Sequence, residues 1–170
     1  IKELENSSYE EVAYLLLYGK LPNKAELAKF SSTLKARRQL PARIIKMMHT
    51  FAKRMTPMEA LRTTVSALAD GDPDARKVSK DDLLSNGIGL IAKFPTIVAA
   101  YHRIEHGLRP IRPNPKLSHA ANFLYMLTGK KPDKISERAF DADLVLHAEH
   151  GMNASTFAAR VTVGTLSDLH

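Results

Sequence analysis

The chain predicts an all-α, multi-helical fold, and three observations predict it. Apolar residues recur at spacings of three and four through most of the 170 residues. Cap residues, prolines and glycines punctuate those stretches at helix starts and stops. No run alternates with period two between hairpin signals, so no sheet is expected.

Ser7-Ser8-Tyr9-Glu10-Glu11 offers a capping box, Tyr9, Val12, Ala13, Leu16 and Leu17 keep helical spacing, and Gly19 stops that helix. Asn23 caps the next helix with Glu26 three residues on, and the helix runs to about Arg38. Pro41 suits a first helical position, with Ile44, Ile45, Met48 and Phe51 as the inward stripe. Thr56-Pro57-Met58-Glu59 starts a helix carrying Leu61, Val65 and Leu68, which the loop Asp70-Gly71-Asp72-Pro73-Asp74 ends. A longer helix begins near Ser79, with Leu84, Ile88, Ile91, Val98 and Tyr101 on one face. Pro95 inside it predicts a kink, because the pattern resumes on the same face. The prolines at 110, 113 and 115 exclude helix there. Ser118 to Thr128 forms a short helix stopped by Gly129, and Asp133 starts another carrying Phe140, Leu144 and Val145 towards His147. The last begins near Asn153 and ends near Asp168, with Phe157, Ala158, Val161 and Leu166 inward. Helices on both sides of the proline-rich loop are similarly apolar, so residues 1–170 read as a single helical unit.

Composition narrows the function classes. With no cysteine there is no disulfide framework, zinc–thiolate site or cysteine nucleophile. No uniformly apolar run approaches the roughly 20 residues of a membrane span. A cytoplasmic protein without membrane partners is the expectation. The net charge of +7 is densest at Lys35, Arg37, Arg38, Arg43, Lys46, Lys53 and Arg54. Acidic residues are interspersed elsewhere and only 6% of residues are aromatic, so stacking platforms for bases are scarce. The basic residues read as a solvated surface, and no nucleic-acid partner is expected. The four methionines at 47, 48, 55 and 58 read as core filler, and Arg43, Arg62 and Arg103 as possible carboxylate partners.

The stretch from His147 to Thr156 carries the most chemistry. His147 and His150 are three apart, which on a helix is one face, and Gly151 can close that helix in the left-handed conformation. Asn153 or Ser155 can cap the helix that follows. Imidazoles and free backbone N–H groups then meet at one corner, as recognition of a small carboxylate requires. Mere helix-turn-helix punctuation explains the same residues. A metal is the weaker reading, since His-x-x-His supplies two ligands where zinc takes three or four. His102 and His106 match a metal pair only in spacing.

Several ordered blocks resemble the citrate synthase family, which includes 2-methylcitrate synthases. These are Ser8 to Pro22, Met58 to Thr63, Leu90 to Ile97, Asn122 to Gly129 and, most specific, Leu146-His147-Ala148-Glu149-His150-Gly151-Met152-Asn153-Ala154-Ser155-Thr156. The resemblance implies part of the family's large helical domain, its N-terminal portion, without the small domain. It implies an acyltransferase that condenses acetyl-CoA or propionyl-CoA with oxaloacetate, in the tricarboxylic acid cycle for the citrate-forming members. It implies a homodimer at full length, with acyl-CoA as substrate and no resident cofactor or metal. By the same resemblance His150 holds oxaloacetate, while Asn153 and Ser155 support a catalytic histidine from the following helix.

Two departures stand out. Glu149 occupies a position where such proteins often carry aspartate. The family's Gly-Pro-x-His-Gly block, its later catalytic histidine and aspartate, and most of its CoA site are absent from the sequence. The chain is therefore expected to be an incomplete piece, inactive alone, that exposes a wide apolar surface. A non-catalytic helical module recruiting an acidic partner is the alternative.

Overall fold

The computed structural model describes residues 6–165 and 167–169. Its elements are α1 (Tyr9–Tyr18), α2 (Lys24–Arg37), α3 (Ala42–Phe51), α4 (Pro57–Leu68), α5 (Lys80–Glu105), α6 (His119–Thr128), α7 (Lys134–His147) and α8 (Ala154–Gly164). The described residues contain no strand. Cap chemistry sets most helix starts. Ser8, Asn23 and Thr56 close full capping boxes with Glu11, Glu26 and Glu59, while Ser79, Ser118 and Asp133 cap α5, α6 and α7. Pro41 stands one position earlier than expected, as the N-cap residue of α3. Gly19 and Gly129 end α1 and α6 at φ of 74° and 83°, a conformation that costs glycine nothing.

The 26-residue α5 is the spine. Its first half sets Ile88 and Ala92 against Ala13 and Tyr14 of α1 and Phe30 and Leu34 of α2. Its second half sets Ile97, Ala100, Tyr101 and Ile104 against Ile44, Met48 and Phe51 of α3 and Ala60 and Leu68 of α4. Pro95, which removes one amide from the helical ladder, falls between these two cores, and the helix continues through it. By length and composition α5 could cross a membrane, contrary to the sequence expectation. Its packing against α2, α3, α4 and α6 identifies it as the core helix of the bundle instead.

Helices α1, α6 and α7 are joined by reciprocal caps. Asp141 of α7 accepts from the Tyr9 N–H at the start of α1 (3.1 Å), and Glu10 of α1 accepts from the His119 N–H at the start of α6 (2.8 Å). Ser118, the α6 cap, donates its hydroxyl to Glu137 of α7 (2.5 Å). Each bond satisfies or orients a helix N-terminus with a group from a different helix.

Several inward expectations are corrected. Leu16 and Val98 are exposed, and Met58 is 72% exposed because its position in the first turn of α4 faces away from α3 and α5. On α8, Phe157 and Val161 are 61% and 55% exposed, and Ala158 is exposed too, because no extensive helix packing among the described residues includes α8. That helix ends at Gly164 rather than near Asp168, and Leu166 lies outside the described residues. Arg38 does not belong to the solvated basic surface: it is 1% exposed, and its Nη1 donates to the Leu117 carbonyl at 3.0 Å.

Candidate functional site

The corner between α7 and α8 is built from two helix ends and a six-residue turn, 148–153. Helix α7 stops at His147, with Ala148 as its C-cap. His150 therefore lies beyond the helix, and the two imidazoles do not share a helical face as expected. His147 turns back on its own helix, its Nδ1–H donating to the Asp143 carbonyl at 2.8 Å with the Asp143 carboxylate 3.4 Å away. Those local partners take one ring nitrogen, Nδ1, and fix the ring against its own helix. His150 stands exposed in the turn.

Gly151 has φ of 73°, as the sequence predicts, and nothing lies within 4 Å of the point where a Cβ would stand. Glycine is required there for backbone conformation and not for space. Its N–H donates to the Glu149 carboxylate, so the turn's backbone amides are not all free. Asn153 is the cap of α8: it has extended backbone (φ −71°, ψ 171°), and its side chain accepts from the Thr156 N–H at 2.8 Å. Ser155 sits in the first turn of α8, exposed, two residues after the cap. The first-turn amides of an α-helix lack intrahelical acceptors, and the positive end of its dipole lies there. One exposed imidazole followed by a capped helix start can hold a small dianion.

Two features escaped the sequence reading. The first is a buried polar group of Glu10, Arg38 and His119. His119 is 3% exposed, stacks on Tyr9 with ring centroids 4.8 Å apart, and has a pKa lowered to about 4 by burial and then by the Arg38 charge. The second is an open apolar cleft of about 550 Å³, lined by Phe94, Val98, His119, Phe123, Phe140 and Leu144 among others. A periodicity signal for Arg38 was present, since it continues the Phe30–Leu34 row at the same spacing of four. Glu10 likewise stands three and four residues before the buried Ala13 and Tyr14. His102 and His106 are neighbours, with ring centroids 4.2 Å apart, but His106 Nδ1 is taken by the His102 carbonyl at 2.7 Å. Among the described residues no three histidine, aspartate or glutamate groups converge as metal ligands do.

Fold and corner together define an all-helical protein with an exposed histidine in the turn between two helices. The family model described as "Citrate synthase, C-terminal domain" matches residues 1–170. A citrate synthase of Synechocystis sp. is 48% identical over 99% of this chain and 43% of its own length, and one of Deinococcus radiodurans is 46% identical over 98% and 44%. A 2-methylcitrate synthase of Mycobacterium tuberculosis is 41% identical over 96% of the chain and 41% of its own length. The crystal structure of citrate synthase from Pyrobaculum aerophilum superposes with a TM-score of 0.94 at 42% identity, covering 99% of this chain and 44% of that one. The chain belongs to the citrate synthase family. It spans less than half the length of these relatives.

Proposed function

We propose that the protein to which this chain belongs is an acyltransferase that condenses an acyl-CoA with oxaloacetate, giving citrate from acetyl-CoA or 2-methylcitrate from propionyl-CoA. The observation that carries this reading is the His150-to-Ser155 corner, present in a chain that matches the family from end to end. Oxaloacetate is a dianion, and an exposed imidazole beside the start of α8 offers it a charged hydrogen-bond donor once protonated and a favourable dipole. Asn153 fixes where α8 begins, and Ser155 in its first turn offers a hydroxyl to the catalytic histidine that the family supplies from the next helix. The family's Gly-Pro-x-His-Gly block is not found in these 170 residues, so on this reading the stretch supplies binding and support. The reading needs no resident cofactor, takes acyl-CoA as substrate, and includes a homodimer in the cytoplasm.

Thiol release from acetyl-CoA and from propionyl-CoA, with and without oxaloacetate, tests it on the full-length protein. Oxaloacetate-dependent release is the expected result. Residues 1–170 alone are expected to show none, and turnover by that piece would refute the placement of the proton-moving groups. His150→Ala should raise the KM for oxaloacetate by roughly ten- to a hundredfold, the scale of a lost charge-assisted hydrogen bond. An unchanged KM would remove His150 from the site.

A further inference from the structure

The turn that presents His150 has little to hold it. Helix α7 is finished at His147, whose ring is bonded to its own helix, and α8 does not begin until the Asn153 cap. Between those ends, the bond across residue 150 is the Gly151 N–H donated to the Glu149 carboxylate. It joins the residue before His150 to the residue after it, while Gly151 holds a left-handed φ of 73°. A side chain that accepts the amide two residues on imitates a backbone turn and restricts the dihedrals between. Those dihedrals set where the His150 imidazole points.

Charge argues that this is Glu149's purpose. A carboxylate next to a site for a dianion repels the ligand, so binding energy does not explain an acid there. Its acceptor geometry does. The glycine belongs to the same device: open space surrounds its missing Cβ, and φ is the one requirement the position imposes.

We propose that Glu149 is a positioning residue for His150, its carboxylate clasping the Gly151 amide so that the imidazole is held ready for oxaloacetate. This rests on the reading of His150 as the oxaloacetate-holding group. The clasp and that reading fail in different measurements. Three variants in the full-length protein, Glu149→Ala, Glu149→Gln and Glu149→Asp, are compared by hydrogen exchange of the Gly151 amide and by the steady-state constants for oxaloacetate.

Glu149→Ala should accelerate Gly151 exchange and raise the KM for oxaloacetate by roughly three- to tenfold, the equivalent of one ordinary hydrogen bond, with kcat within about twofold. Glu149→Gln keeps an acceptor oxygen and loses the charge. It should restore protection, with a KM equal to or below that of the unsubstituted protein. Glu149→Asp, with the shorter arm favoured in such turns, should restore both. Unchanged Gly151 exchange in Glu149→Ala would show that there is no clasp. Faster exchange without a KM change would show that the clasp does not position the binding group. A Gln variant as impaired as the Ala variant would show that charge, not the acceptor, is what matters. Failure of the underlying reading appears separately, as a KM that His150→Ala does not move.

Discussion

His119 binds no proton at neutral pH in the folded chain, because charging it would bury a cation beside Arg38. Its folded pKa of about 4 lies below the ordinary histidine value of 6.5, so between those values the unfolded chain holds a proton that the folded chain does not. Stability therefore falls as pH drops from about 6.5 towards 4, by up to about 3 kcal/mol from this residue. Chemical denaturation at pH 7 and pH 4.5 should show that slope, and His119→Phe, which keeps the stacking on Tyr9, should remove its share. An equal pH dependence in the variant would mean that other groups set it. Arg38 makes the complementary case. Its guanidinium donates to the Leu117 and Asn114 carbonyls, and Arg38→Ala should cost about 3 kcal/mol, because it removes the buried bond to the Leu117 carbonyl and leaves Glu10 without its nearby charge. Composition hides such residues. Arg38 stands in a run of cations, and only its spacing from Phe30 and Leu34 marks it as inward.

At the scale of the element, starts were legible and contacts between elements were not. Ser8, Asn23, Thr56, Ser79, Ser118, Asp133 and Asn153 all cap where local chemistry places them, since a side-chain oxygen three residues before a free amide needs no tertiary partner. The caps exchanged among α1, α6 and α7 join residues as far as 132 positions apart, and no local pattern announces them. Asp141 shows what such a bond contributes. Burial raises its pKa, so its charge is a cost, whereas its oxygen satisfies the Tyr9 amide. Asp141→Asn keeps that oxygen and sheds the charge, and thermal unfolding at pH 7 should show it as stable as the original chain or slightly more so. Asp141→Ala orphans the amide and should cost about 1–2 kcal/mol. A loss in Asn equal to that in Ala would show that the charge is stabilising. The corner at 147–156 divides in the same way. The Asn153 cap and the left-handed Gly151 were readable, while the early end of α7 and the Glu149 bond across His150 depend on how the turn closes.

Across the whole molecule, filled cores contrast with two open apolar faces, a cleft beside α5 and the exposed side of α8. The two core clusters around α5 are well filled, with Leu34, Met48, Ala60, Ala92 and Ile97 fully buried. By contrast, the cleft bounded by Phe94, Val98, Phe123, Phe140 and Leu144 is open, and α8 exposes Phe157, Val161 and Val163. Patches of this kind on one soluble body are unusual unless something packs on them. The relatives that match this chain are more than twice as long as the part matched. Residues 1–170 expressed alone should therefore self-associate through these faces and bind a hydrophobic dye, with apparent mass rising with concentration in sedimentation. Replacing Phe157 and Val161 together by glutamate should reduce association without lowering stability, since neither contributes to the core. A chain that stays monomeric and dye-free at high micromolar concentration would contradict the exposure of α8. Association unchanged by the double substitution would place the adhesive surface in the cleft instead, where Val98→Glu becomes the variant that must reduce it.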